Sequence, residues 1–359
     1  MLIGIDASRA FIKQRTGIEE YSYQIIKALK NKLADRSVVL YARKNQIIDF
    51  VLPKNWQVKV INFSYLWTQV GLSLEMLFHP VDALFIPAHT VPFVHSNNTT
   101  VTIHGLEYEM IPEAYFFWER MYMRWSIKNS CRWAKKIIAV SENTKRDLMR
   151  LYKVPEEKIE VVHNGYDAGA NFQFPISNFQ KNSKFILFIG RLEKRKNILG
   201  IIKAFEILKE KYKIPHKLIL AGNFGYGEEE IKNKIEKSEY KKGIALAGFV
   251  TDEEKWRLLK NADVFLFPTF YEGFGLPILE AQSAGAPVIT SNISSLPEVA
   301  DGSAFLIDPN NYDEIAEAAY KIISDKNLRN DIIKKGFENV KRFSWEKCAS
   351  EIARILMEE

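Results

Sequence analysis

Short apolar runs alternate with amphipathic stretches along most of the chain. Residues 2–5 (LIGI) form the first apolar run. Over 17–33, Tyr21, Ile25, Ala28 and Leu29 recur close to helical spacing. Further strand-like runs lie at 38–41, 58–61, 83–86, 100–103, 136–140 and 160–162, bounded by polar residues or proline. Ser141 stands as a cap before the helical stretch SENTKRDLMRLY. This alternation predicts a mostly parallel sheet covered by helices.

The pattern lapses at 168–184, AGANFQFPISNFQKNSK, which has no period and reads as an interdomain linker. A second series follows, with strands predicted at 185–189, 217–221, 244–246, 263–267 and 288–290. Helices are predicted at 197–212, 228–238, 253–260 and 277–283, then at 313–324, 328–342 and 345–357. No tandem repeat of roughly 20–50 residues is visible, which argues against a solenoid. The expected organisation is α/β throughout: a first domain at 1–167, the linker at 168–184, a second domain at 185–342 and a closing segment at 343–359.

Composition changes this picture little. The chain has 359 residues, more than the roughly 250–300 that one core usually serves, so two domains are expected. Cys131 and Cys348 lie far apart with no metal-ligand spacing, which fits a reducing compartment without a disulfide scaffold. The N-terminus lacks a charged segment followed by an apolar stretch, and no run of about 18 apolar residues occurs, so a cytoplasmic location is expected. The net charge is +6, and residues 1–167 carry 22 Lys and Arg against 17 Asp and Glu. That excess points the first half toward an anionic surface or a phosphate-bearing substrate. It does not point to nucleic acid, because acids are interleaved and no recognition motif is present. The absence of G-x-G-x-x-G after the first strand disfavours an NAD dehydrogenase.

The candidate chemistry concentrates in residues 263–285, DVFLFPTFYEGFGLPILEAQSAG. An apolar strand ends at Pro268, a turn Glu272-Gly273-Phe274-Gly275 follows, and a helix starts with Pro277, where its missing N–H costs nothing. Ligands bind beyond the carboxyl ends of strands in open α/β sheets. Glycines there admit a close ligand, and a helix N-terminus attracts phosphate. Glu272 and Glu280 frame the turn and can accept hydrogen bonds from sugar hydroxyls. Glu280 taken alone also reads as a residue that complements the helix dipole. Upstream, the strand FILFIG runs into a loop with Arg191, Lys194, Arg195 and Lys196. Fixed cations there would stabilise charge on a leaving diphosphate. No acidic cluster has magnesium-like spacing, so neither metal nor other cofactor is expected.

Residues 263–285 resemble the Glu-x7-Glu motif of the retaining GT-B glycosyltransferases of family 4. The resemblance extends to PVITSNISSLPEVADGSAFLIDP, GRLEKRKN at 190–197, VVHNGYD at 161–167 and IIAVSENTKRDL at 137–148. It implies two Rossmann-like domains facing across a cleft, with the C-terminal helix packing back on the first domain. It also implies transfer from a nucleotide-diphosphate sugar with retention, by front-face substitution in which the donor phosphate helps deprotonate the acceptor. In that reading Glu272 lies near the donor sugar and Glu280 takes the nucleotide ribose. The backbone amides of Phe274, Gly275 and Leu276 face the diphosphate, and Arg191 and Lys196 neutralise it. His104, after the strand TVTI, lies near the donor sugar. Relatives often have His-Asp, whereas this chain has His104-Gly105. Gly17, in Arg15-Thr16-Gly17, matches one of the paired glycines common in the family. The resemblance leans toward the bacterial mannosyl- and rhamnosyltransferases of surface-polysaccharide assembly, the mannosyltransferase-like branch first, with GDP-mannose as the most natural donor. A non-catalytic nucleotide-sugar binder and a nucleotide-sugar epimerase or glycogen-phosphorylase-like enzyme of similar plan are the alternatives.

Residues 113–136, EAYFFWERMYMRWSIKNSCRWAKK, form a second distinctive segment. Arg120, Arg124, Lys128 and Arg132 recur every four residues, with Tyr115, Trp118, Tyr122 and Trp125 on another face. A basic face beside aromatics suits the anionic inner face of a membrane. The competing reading puts the aromatics in the core and leaves the cations solvated.

Overall fold

The computed structural model describes residues 1–13, 15–166 and 184–358; the expected linker at 168–184 lies outside them except for Lys184. Two compact units result. The first comprises Met1–Glu109, Phe116–Gly165 and Phe343–Glu359, and the second Met110–Tyr115 and Tyr166–Arg342.

The first unit is built on seven strands: β1 (Leu2–Asp6), β2 (Ser37–Arg43), β3 (Trp56–Ile61), β4 (Ala83–Ile86), β5 (Asn98–Ile103), β6 (Lys136–Ala139) and β7 (Ile159–Val161). Every pairing is parallel and the order is β3-β2-β1-β4-β5-β6-β7. The helices are α1 (Gly17–Lys32), α2 (Ser73–Phe78), α3 (Glu107–Met110), α4 (Phe117–Trp133) and α5 (Glu142–Tyr152). Ser141 caps α5 by accepting from the Thr144 amide at 3.1 Å. α2 continues from a π-helical turn at Trp67–Leu72, which has no apolar period to announce it.

The C-terminal helix Trp345–Met357 packs on α1 and shares its core. Ile25, Ile26 and Leu29 of α1 are buried with Ala349, Ile352, Ile355 and Leu356. Each large aliphatic side chain buried there contributes roughly 1.5–3 kcal/mol. Lys32 bonds Glu346 at 3.0 Å beside this contact. Gly165 fits because a Cβ at that position would stand 2.2 Å from the Trp345 nitrogen. Cys131 and Cys348 are buried free thiols.

The second unit has six strands: β8 (Phe185–Ile189), β9 (Lys217–Ala221), β10 (Ile244–Gly248), β11 (Val264–Phe267), β12 (Val288–Ser291) and β13 (Phe305–Ile307). They too are all parallel, in the order β10-β9-β8-β11-β12-β13. Its helices are α6 (Ile198–Lys211), α7 (Glu228–Glu236), α8 (Asp252–Asn261), α9 (Leu276–Ser283), α10 (Leu296–Ala300), α11 (Tyr312–Ser324) and α12 (Lys326–Asn339). The inner strands β8, β9, β11 and β12 are buried on both faces, which is why they read as apolar runs without alternation, whereas the edge strand β10 is exposed after Ile244. The order reverses between β8 and β11, so the loops leaving these neighbours diverge and open a crevice at their carboxyl ends.

Candidate active site

That crevice is where the second unit gathers its charged side chains. After β8 the backbone turns at Gly190, φ 148°, and exposes Arg191. Among the described residues Arg191 makes no ion pair. A short 3-10 turn, Lys194–Lys196, then carries Lys196 into the interior, where it is 9% exposed. Asn197 ends this turn in the left-handed conformation, φ 58°, and caps α6 by accepting from the Gly200 amide at 3.2 Å. Its Nδ2 donates to the carbonyls of Pro268 at 3.1 Å and Pro309 at 2.7 Å. One buried amide side chain thus ties the basic loop to the segment that leaves β11.

From that segment Glu272 meets the basic loop. Lys196 Nζ donates to Glu272 Oε1, and Arg195 Nη1 lies 3.5 Å from the same oxygen. Arg195 also donates to the Tyr271 carbonyl at 3.1 Å and pairs with Glu193 at 2.8 Å. Burial alone would raise the Glu272 carboxyl, but Lys196 and Arg195 outweigh it and hold the group below the ordinary carboxylate range. Burial and then Arg195 push the Lys196 ammonium down. Arg191, Arg195 and Lys196 together exceed the nearby acids Glu193 and Glu272 by one charge, a surplus that an anionic ligand relieves.

The turn itself is clamped from behind. Ser294, at φ 61°, accepts from the Glu272 amide at 3.1 Å and donates to the Glu272 carbonyl at 2.6 Å. Ser295 Oγ donates to the carbonyls of Glu272 and Phe274 at 2.9 and 2.6 Å. Phe274 is buried, and Gly275 caps α9 at φ 120°, where a Cβ would sit 3.0 Å from Leu296. The amides of Gly275 and Leu276 make no hydrogen bond among the described residues, and Leu276 opens α9, whose axis brings positive potential to the crevice. Glu280, one turn further along, receives a 2.9 Å bond from Lys255 of α8. Lys255 also approaches Asp252 at 3.3 Å.

The first unit holds the other two candidates. His104 follows β5 with its Nε2 2.7 Å from the Pro87 carbonyl. A carbonyl only accepts, so the proton is on Nε2 and Nδ1 is left as an acceptor. Tyr21 packs edge-on at 4.5 Å between ring centroids and His89 at 5.2 Å. Burial pushes His104 down to about 3 and His89 to about 4. His89 adopts φ 47° and has a buried Nδ1 with no hydrogen-bond partner. Gly17 begins α1, but a Cβ there would meet nothing within 4 Å. The first turn also carries Glu19 and Glu20, bonded to Arg9 at 3.3 Å and Arg15 at 2.9 Å. A lone glycine without steric demand at an acidic helix start shows no phosphate cradle of its own.

These histidines give the fold a pH dependence. The unfolded chain takes up their protons below about pH 6.5, whereas the folded chain resists until pH approaches the lowered values. Their contribution is therefore complete above about pH 6.5 and falls as pH drops toward 4 and 3. Thermal unfolding should show a loss of about 1–2 kcal/mol per histidine between roughly pH 6.5 and 5. A His89→Asn/His104→Asn variant should flatten that slope.

Asn197, Lys255, Thr269, Ser294 and Ser295 complete the arrangement without a signal in the sequence; Arg195 reads there only as one cation of the basic loop, not as a partner of Glu272. Thr269 lies buried in the segment that leads to Glu272, its Oγ1 without a hydrogen-bond partner among the described residues and its carbonyl accepting from Ser291 Oγ at 2.7 Å. Among the described residues no group of three or more His, Cys, Asp or Glu is placed to hold a metal ion.

Residues 170–339 match the family described as glycosyl transferases group 1, and residues 16–169 match glycosyltransferase family 4. The chain is 32% identical over 257 residues to O-antigen chain mannosyltransferase B of Escherichia coli, covering 70% of this chain and 68% of that one. This chain belongs to the group 1, family 4 glycosyltransferases. It is also 31% identical over 280 residues to the Staphylococcus aureus capsular polysaccharide biosynthesis glycosyltransferase CapM, covering 72% and 70% of the two chains. Among solved structures, Anabaena HepE in complex with UDP and glucose aligns with a TM-score of 0.75 at 18% identity, over 100% of this chain and 99% of that one. WaaG, a glycosyltransferase involved in lipopolysaccharide biosynthesis, aligns at 0.74 and 15%, over 99% and 100%. The glycosyltransferase therefore has the two Rossmann-like domains of the GT-B class.

Proposed function

We propose that this glycosyltransferase moves a hexosyl group from a nucleotide-diphosphate sugar to a glycan or lipid-linked acceptor with retention of configuration. The observation that carries the reading is the Lys196–Glu272 pair, which joins the loops leaving β8 and β11 where the sheet order reverses. The donor diphosphate would lie against Arg191, Lys196 and the amides of Phe274, Gly275 and Leu276. Glu280, oriented by Lys255, would accept from the ribose hydroxyls. His104 Nδ1 would accept from a hydroxyl of the transferred sugar.

Glu272 is a poor candidate for a covalent nucleophile, because its carboxylate is engaged by Lys196 and Arg195. Retention is better served by front-face substitution. The bond from C1 to the donor phosphate oxygen breaks, the acceptor oxygen bonds C1 on the same face, and its proton passes to the departing phosphate. Protein cations stabilise the charge on the leaving diphosphate, so no metal is required. The names of relatives, which include two O-antigen chain mannosyltransferases, support mannose as the transferred sugar, and GDP-mannose is the donor proposed to carry it. Their names also favour an acceptor in surface-polysaccharide assembly. The work would take place in the cytoplasm at the inner face of the membrane, with residues 113–136 toward the lipid. The test is transfer from a panel of nucleotide sugars in the presence of EDTA, with the product anomer read by NMR. Retention and EDTA resistance are expected; an inverted product would overturn the mechanism.

A further inference from the structure

The outward surface of α4 is aromatic, and it does not end with α4. Phe117, Trp118, Met121, Tyr122 and Trp125 fall at helical spacing on one side and are exposed, Trp118 at 80%. The opposite side, Ser126, Ile127, Ser130 and Cys131, is the buried one. The aromatics are thus not core, and the basic stripe is only half available. Arg124 and Arg120 are drawn onto Glu109 at 2.8 and 3.6 Å, and Glu109 is held in turn by Tyr152 at 2.9 Å. Lys128, Arg132 and Lys135 remain exposed and make no ion pair among the described residues.

The segment after β4 extends this surface. The Phe93 ring lies 5.9 Å from Trp125 and 5.8 Å from Trp133. Next to it, the Val94 amide bonds Ser73 Oγ at the start of α2 at 3.3 Å. On α2, Leu74, Leu77 and Phe78 recur at i, i+3 and i+4 and are exposed, Phe78 at 69%. All of these residues belong to the first unit.

We propose that α4, Phe93–Val94 and α2 form one lipid-binding platform that holds the protein on an anionic bilayer by inserting apolar side chains. Lys128, Arg132 and Lys135 supply the weaker attraction to headgroups. This deepens the membrane-facing reading of residues 113–136 and rests on it. The occupant follows from the chemistry of the patch. Tryptophan and tyrosine suit the boundary between headgroups and acyl chains, and the flanking free cations match anionic lipid. An apolar patch of this kind on a soluble domain marks an interaction site.

The experiment is flotation of the full chain with phosphatidylcholine/phosphatidylglycerol vesicles at about 0.15 M and about 1 M salt, which screens the headgroup attraction. Tryptophan quenching by brominated phosphatidylcholine is read alongside. Binding should survive high salt with a loss of only a few-fold. Phe117→Ser/Trp118→Ser should weaken it roughly tenfold or more, and so should Leu77→Ser/Phe78→Ser, with melting temperatures unchanged. Trp118→Phe/Trp125→Phe should remove most of the lipid quenching. Vesicle binding unaffected by the α2 variant, or abolished by salt with the aromatic variant unchanged, would overturn the platform while leaving a membrane-facing 113–136. No binding and no quenching at either salt would overturn the membrane reading itself, as would concentration-dependent self-association lost in these same variants without any vesicle binding.

Discussion

Lys196→Ala should lower turnover by about 10²–10³-fold, the size of effect seen when a preorganised group facing developing charge is removed. Removing one partner of a buried ion pair also costs about 3–5 kcal/mol. Here the loss should fall toward the lower end, because Arg195 stays 3.5 Å from Glu272. The two effects can be separated. A Lys196→Met/Glu272→Leu variant leaves no buried charge uncompensated, so its stability should return to within about 1–2 kcal/mol of the parent. Its turnover should stay as low as that of the single variant. Recovery of turnover together with stability would mean that the pair is structural only. Circular dichroism melts and single-turnover donor consumption provide the two readouts.

Asn197→Ala should be the most destabilising single truncation in this region, at about 3–7 kcal/mol. The lost α6 cap accounts for about 1 kcal/mol. The carbonyls of Pro268 and Pro309 lose their buried donor, at roughly 1–3 kcal/mol each. Alanine also tolerates φ 58° less well than asparagine. Because the side chain ties the basic loop to the turn that carries Glu272, donor affinity should fall as well. Asn197→Asp retains the cap acceptor but not the Nδ2 donor. It should therefore restore the helix contribution and leave the carbonyl penalty, which denaturant unfolding of the pair of variants would show.

The strands were legible because buried parallel strands are continuous apolar runs. Those at 185–189 and 217–221 match the observed β8 and β9 residue for residue. β13 was not legible, since Phe305–Ile307 spans three residues with Leu306 partly exposed. Nor was α10, whose five residues, with Pro297 near the start, offer no period. The Glu272 turn stood out because its glycines, proline and acids are consecutive. Its supports did not, because Lys255 reaches Glu280 across 25 positions and Ser294 reaches Glu272 across 22. Such contacts belong to the packed loops and leave no local pattern. The face of α4 shows a different limit. Aromatic spacing establishes a stripe, but a stripe turned to solvent and one turned to the core share the same period. Glu109 also takes up two cations, eleven and fifteen residues away, that read as free in the sequence.

The most direct test of the central claim is release of nucleoside diphosphate from GDP-mannose by this chain in EDTA, with lipid-extracted acceptor supplied. Wild type should release GDP, and Glu280→Ala should raise KM for the donor while Lys196→Ala abolishes most of the release. Tight binding of GDP with no release from any nucleotide sugar, acceptor present, would contradict the account and leave a nucleotide-sugar binder in its place.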